Sequence, residues 1–327
     1  MRYFARKVGF FLLTLWAAVS LNFVLPRLMP GSPVSAALLK LSANGVVVTN
    51  ATRRAIEIEL GIPHTSLITQ YWYYLGNIVQ LKFGMTYSIT DESVRRAILA
   101  AAPWTLVLVG TTTVIAFVTG TLLGVYAGWR RQTRVDSVVT MGSTFFSAFP
   151  PFWLGLLLLY FLGYHFHVFP LVGGYSAGLT PRLTPGFLAD AAVHSILPAI
   201  TLVVTSLSGW VIGMRNNMIN TLGEDYVVFA EANGMRDRAI ALLYVARNAL
   251  LPNVTGFGLA LGAVVGGSVL VESIFGYPGV GSLLLLAVTN RDYPLMQAIF
   301  LMITVSMLVA IFVVDLLYGL LDPRVRQ

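Results

Sequence analysis

Cysteine is absent from the 327 residues, which excludes a disulfide framework and a thiolate metal site. Charge is also scarce: 11% of residues are Asp, Glu, Lys or Arg, against about 25% in soluble domains. The only lysines are Lys7, Lys40 and Lys82, and none follows a glycine, so the phosphate-cradling loop of a nucleotide hydrolase is missing. No HExxH occurs, and neither Ser206 nor Ser208 has a His/Asp arrangement nearby. An HxH at His165 and His167 stands beside aromatics at a predicted span end, which suits an interfacial pair better than a metal site. These absences argue against catalysis, a metal and a bound cofactor.

What the chain has is hydrophobicity: 57% of residues are apolar and the mean hydropathy is +0.77. Both values describe an integral membrane protein. The spacing predicts an all-α chain of about six spans. Val8 to Pro26 runs apolar after Arg2, Arg6 and Lys7 and has no clear cleavage site; it exceeds the ~7–15 residues of a signal-peptide core and reads as a first span. A second is expected over about Pro103 to Trp129, with Gly120, Gly124 and Gly128 on one face for close helix packing. A third, about Val138 to Tyr164, is long and carries Pro150 and Pro151, which supply a bend. The others are about Ser195 to Met214, Val254 to Val271 (with Gly258, Gly262 and Gly266) and Leu295 to Leu317. Residues 30–98 are too charged to span and form a segment between the first span and a core of 99–327; their aromatic group Tyr71 to Tyr74 suits a membrane surface.

Leaving out the positive residues of 30–98, a segment longer than the ~60 residues to which the positive-inside rule applies, positive charge collects on one side of this layout. Arg2, Arg6 and Lys7, then Arg130, Arg131 and Arg134, then Arg215, Arg236, Arg238 and Arg247, then Arg324 and Arg326 all fall on the side of the termini. The two short loops opposite hold only Arg182 and Arg291. By the positive-inside rule both termini are cytoplasmic. The net charge of +7 is therefore a topology signal, not a sign of nucleic-acid binding.

The stretch Thr221 to Pro252 is far too charged for a lipid-buried span, although apolar runs flank it. Thr221 and Glu224 have capping-box spacing, and Asp225 strengthens a helix start there. Gly234 is placed to stop that helix. A second helix is expected over roughly Arg236 to Ala249, with Ile240, Leu243 and Ala246 on one stripe, ending before Pro252. A docking element and a solvated loop are both compatible with this pattern. Glu272 and Asp315 are the ionisable residues near span ends; Asp315 suits a cap or ion pair better than a proton relay. A polytopic chain with no nucleotide site and no convincing ion relay points to a pore-forming subunit powered by a partner. An ion-gradient carrier stays open as the alternative.

Several stretches resemble the membrane subunits of ATP-binding-cassette importers, in particular the dipeptide/oligopeptide/nickel permease family. They are AEANG (230–234) with RNALLP (247–252), similar to that family's "EAA" loop, and GYPGVG (276–281), RDYPLMQ (291–297) and DLLYGLLDPRVR (315–326). RLMPGSPV (27–34), ELG (59–61), LKFGMTY (81–87) and FPPFWLGLLLL (149–159) are similar to its landmarks upstream. Asn233 departs from the lysine common there, and Ser32 from aspartate. The resemblance implies a type I importer fold in the cell membrane. Its partners would be a second permease subunit, two cytoplasmic ATPases carrying ATP and Mg²⁺, and an extracytoplasmic binding protein. It implies that Asp225, Glu231, Ala232, Asn233, Gly234 and Arg236 couple to an ATPase. Arg130, Arg131 and Arg134 would make a secondary contact. Substrate residues are not identified by it.

Overall fold

The computed structural model describes residues 2–28, 31–32, 34–35, 38, 42, 47–59, 66–86, 88–89 and 92–321, the side chains of 2–7, 58–59 and 315–321 excepted. The side chain of Asp315 and all other side chains of the 315–326 motif lie outside it, as do residues 322–326 and parts of the 27–34, 59–61 and 81–87 motifs. The described residues are helical, without a strand. Among the described residues five helices are long and apolar enough to cross a membrane, or six if one bent pair is counted as a single span.

α1 (Arg2–Leu28) is followed by two short helices, α2 (Asn50–Glu59) and α3 (Leu67–Val79). α4 (Val94–Trp129) and α7 (Pro185–Thr221) hold 36 and 37 residues. At about 1.5 Å per residue each is ~54 Å long, far beyond a ~30 Å hydrocarbon layer. α7 therefore starts and ends outside the apolar stretch that flagged it, while α4 starts well before its stretch, running through Pro103, and ends with it at Trp129.

α5 (Arg134–Ser147) and α6 (Pro151–Leu158, prolonged by a π-helical turn Leu159–His165) meet at 89°. Pro150 cannot continue α5, while Pro151 is harmless as the first residue of α6. The paired prolines thus make an elbow, with Phe149 stacked on Trp153 at 5.2 Å. Beyond α6, His165 packs edge-on against Phe166 and His167 faces Tyr164.

α8 (Asp225–Ala232) follows α7. One rising helix is then assembled from α9 (Asp237–Ala239), a π-helical stretch Ile240–Ala246 and α10 (Arg247–Ala263). It continues through a 3₁₀ turn to α11 (Val269–Ile274). α12 (Val280–Asn290) and α13 (Tyr293–Leu321) complete the chain's described helices.

Small residues set the packing. A Cβ on Gly120, Gly124 or Gly128 would collide with Trp210, Val211 or Met218 of α7. One on Gly258 or Gly262 would collide with Val314 or Ala310 of α13. Both glycine stripes thus bring backbones together. α1 runs antiparallel to α13, with Phe11 against Phe312 and the Asn22 amide donating to the Gln297 carbonyl at 2.7 Å. The start of α1, the end of α13 and α8 therefore share one end of the bundle.

The opposite end explains why separate landmarks belong together. Asp292, fully buried, accepts the Leu295 N–H at 3.1 Å and so caps α13. Its other oxygen accepts the Ser88 N–H at 2.8 Å and the Thr86 hydroxyl. Next to it, Arg291 donates to Ser35 at 3.4 Å and Tyr293 to the Gly31 carbonyl at 3.2 Å. The stretches around Gly31, Thr86 and Asp292 are tied together in one knot.

Candidate functional site

α8 is a two-turn helix on the end of the bundle. Its start is not the expected capping box. Thr221 is the last residue of α7 and donates its hydroxyl to the Asn217 carbonyl at 2.8 Å. The N-cap is Glu224, whose side chain makes no capping bond. A reciprocal cap does occur at another Thr-x-x-acid spacing: Thr133 accepts the Asp136 N–H at 3.5 Å, while Asp136 reaches back to the Gln132 N–H at 3.0 Å. Thr221 lost that role because α7 continues through it.

The end of α8 is as expected, and more complete. Gly234 has φ +71°, its N–H donates to Glu231 O at 2.9 Å, and the Met235 N–H donates to Ala230 O at 3.3 Å. These two bonds form a Schellman motif, with Met235 joining the apolar cluster that holds Ala230. AEANGM is thus a helix stop written in full. Asn233 spends its amide on the Phe229 carbonyl at 2.7 Å, reinforcing the same stop.

The second helix differs from expectation twice. It does not end before Pro252 but runs through it into α10. Pro252 lacks the N–H that a regular helix would use. Moreover, its buried positions are Ile240, Ala241, Val245 and Ala249, while Leu243 is 62% exposed. The π-helical bonding of 240–246, i to i+5, moves the inward residue from 243 to 245.

Val227 and Ala230 of α8, with Ile240, Val245 and Ala249, close over Met214 and Met218 of α7. Val125 and Trp129 at the end of α4 pack against the same cluster. Tyr226 accepts the Asn248 amide at 3.0 Å, fastening α8 to α10. Asn253, buried, donates weakly to Thr121 and to the Trp210 carbonyl, at 3.4 and 3.5 Å. The RNALLP region is therefore pinned to α8 on one side and to α4 and α7 on the other.

Asp225, Glu231, Ala232, Asn233, Gly234 and Arg236 are all exposed, as are Arg130, Arg131 and Arg134 on the neighbouring turn. Two apolar neighbours share the α8 surface: Val228 is 55% and Phe229 70% exposed. Their signal was legible, since they stand between Val227 and Ala230 on a two-turn helix whose other face is buried. An ion pair was missed. Arg215 grips buried Asp136 with both Nε (2.5 Å) and Nη2 (2.8 Å), tying α5 to α7 beside the arginine turn. At the far end, an apolar cavity of about 560 Å³ lies between α4 and α7, bordered by Trp104, Phe187, Ser195 and Tyr277.

Comparison with known proteins bears on this arrangement. A family described as "Binding-protein-dependent transport system inner membrane component" matches residues 120–327. The chain is 33% identical over 340 residues to the di/tripeptide transport system permease protein DppB of Pseudomonas aeruginosa, covering 100% of this chain and 99% of that one. Against the oligopeptide transport system permease protein AppB of Bacillus subtilis it is 32% identical over 306 residues, 94% and 93% of the two chains. The dipeptide transport system permease protein DppB of Escherichia coli is 29% identical over 348 residues, with 100% and 99% covered.

Proposed function

Because this chain belongs to the family of binding-protein-dependent transport system inner membrane components, the permease subunits of ATP-binding-cassette importers, we propose that α8 and its glycine stop are the element gripped by a cytoplasmic ATPase. Membership excludes the ion-gradient carrier left open by the residues alone. In this reading the chain is half of a translocation pathway for peptides, completed by a second permease subunit. Two ATPase subunits bind ATP and Mg²⁺, and a binding protein delivers cargo from outside. The peptide class follows the relatives' names.

The observation that carries the reading is a solvent-exposed helix seated rigidly on two spans. Phe229 and Val228 are large apolar groups facing outward. Glu231, next to them, is free to pair with a basic or hydrogen-bonding group on the partner. Small Ala232 permits close approach. Because Val227 and Ala230 pack on Met214 and Met218, a push on α8 becomes a push on α7 and α4. Arg130, Arg131 and Arg134 make the secondary contact. The test is Phe229→Asp, which leaves the inward face of α8 intact. The variant is expected to reach the membrane at wild-type level and to lose co-purification of the ATPase. Undiminished ATPase binding would refute the assignment.

A further inference from the structure

The GYPGVG turn is built around a carboxylate. Glu272 on α11 is fully buried. One oxygen accepts the Thr105 hydroxyl at 3.0 Å and the Ser268 N–H at 3.3 Å. The other accepts the N–H groups of Gly281 and Ser282 at 2.7 and 3.3 Å. Every group facing this side chain is a donor, so an acceptor-only carboxylate satisfies all four and an amide does not. Thr105 in turn accepts the Val280 N–H at 2.7 Å. A Cβ on Gly267, Gly279 or Gly281 would fall inside van der Waals contact of the carboxylate, which is why these positions are glycine.

The bonds solve one problem. Val280, Gly281 and Ser282 open α12, and the first N–H groups of a helix have no acceptor within it. The N-cap is Gly279, which has no side chain to offer. All three N–H groups are instead satisfied from outside the helix, one by Thr105 of α4 and two by Glu272 of α11. The carboxylate also complements the positive end of the helix dipole.

α12 is 11 residues long, about half of what a span needs. It is packed among Val94, Ala97 and Ala101 at the start of α4 and Leu295, Met296 and Ile299 at the start of α13. Thr105 lies just past Pro103, on the uninterrupted length of α4. At its far end that helix places Trp129 against the cluster under α8. A single rod thus touches the α8 seat at one end and the Glu272 cap at the other.

We propose that Thr105 and Glu272 are positioning residues that hook α12 to α4. Engagement of a binding protein at the outer end and engagement of the ATPase at α8 then bias each other through that helix. The inference rests on the reading of α8 given above. The coupling is read as stimulation of ATP hydrolysis by the binding protein, whatever the cargo.

The experiment uses the reconstituted importer: this chain with its second permease, ATPases and binding protein. Thr105→Val and Glu272→Gln are expected to keep ATPase co-purification and unstimulated hydrolysis. Stimulation by the binding protein should fall about tenfold, and Thr105→Ser should restore it. Undiminished stimulation in Thr105→Val overturns the proposal. So does a Thr105→Val chain that no longer assembles, since Thr105 would then serve folding alone, and so does a Thr105→Ser chain as impaired as the valine variant. Should Glu272→Gln fail to accumulate, Thr105→Val decides by itself. A wild-type chain that retains no ATPase would instead refute the α8 reading.

Discussion

Gly234 is required by conformation, not by space. At φ +71° it stands where a Cβ costs about 1–2 kcal/mol, yet no atom lies within 4 Å of the Cβ position. Gly234→Ala should therefore weaken ATPase association only partly, whereas Gly234→Pro should abolish it. Proline fixes φ near −65° and removes the N–H that donates to Glu231. Co-purification and uptake assays check both, and normal uptake by the proline variant would sink the coupling role of the turn. Asp136 offers a second single-residue test. Asp136 is buried but the Arg215 side chain is 24% exposed, so Asp136→Ala should lower the thermal stability of the purified protein by less than the ~3–5 kcal/mol of a fully buried pair. Asp136→Ala with Arg215→Ala should cost clearly less than the two losses added. Strict additivity would mean that the 2.5 Å contact contributes nothing to stability.

At the level of helices, the four-residue glycine stripe of α4 makes a contact that admits no side chain. A Cβ on Gly124 would lie 2.6 Å from the Val211 carbonyl oxygen and 2.7 Å from Met214. Gly124→Leu should destabilise by at least the ~1–3 kcal/mol of an overpacked core. A Cβ on Gly142 of α5 meets open space, so Gly142→Ala should not destabilise. Thermal unfolding distinguishes them, and equal midpoints would refute α4–α7 close packing. This contact was legible because a four-residue period maps directly onto a helix face. The elbow at Pro150–Pro151 and the stop at Gly234 were legible for a similar reason: proline and glycine act on their own backbone. What could not be read depended on distant residues. The spacings at Thr133 and Thr221 are equivalent as text, and only the continuation of α7 decides which one caps. The π-helical stretch beside Pro252 shifts the buried register, so a stripe counted at helical period chose Leu243 over Val245. Glu272 looked like a boundary carboxylate because the hydroxyl that completes its cradle is 167 residues away.

Considered whole, the molecule has two differently built ends. One carries α8, the arginine turn, the start of α1 and the end of α13. The other carries the Asp292 knot, the Glu272 cap and the α6–α7 loop. Arginine is concentrated at the first end, and the positive-inside rule predicts that this end is cytoplasmic. The α8 assignment requires that end to face the cytoplasm, where the ATP is. The absence of cysteine makes the matter directly testable, since one introduced thiol is the only thiol in the chain. Glu231→Cys and Leu183→Cys both place it at an exposed position, at opposite ends. A membrane-impermeant maleimide applied to intact spheroplasts should label Leu183→Cys and leave Glu231→Cys unmodified until the membrane is opened. The reverse pattern would invert the topology and, with it, the role given to α8. In opened membranes, added ATPase should protect Glu231→Cys while leaving Leu183→Cys reactive. A thiol at position 231 that stays equally reactive with the ATPase bound would keep the topology but move the contact elsewhere on the same end.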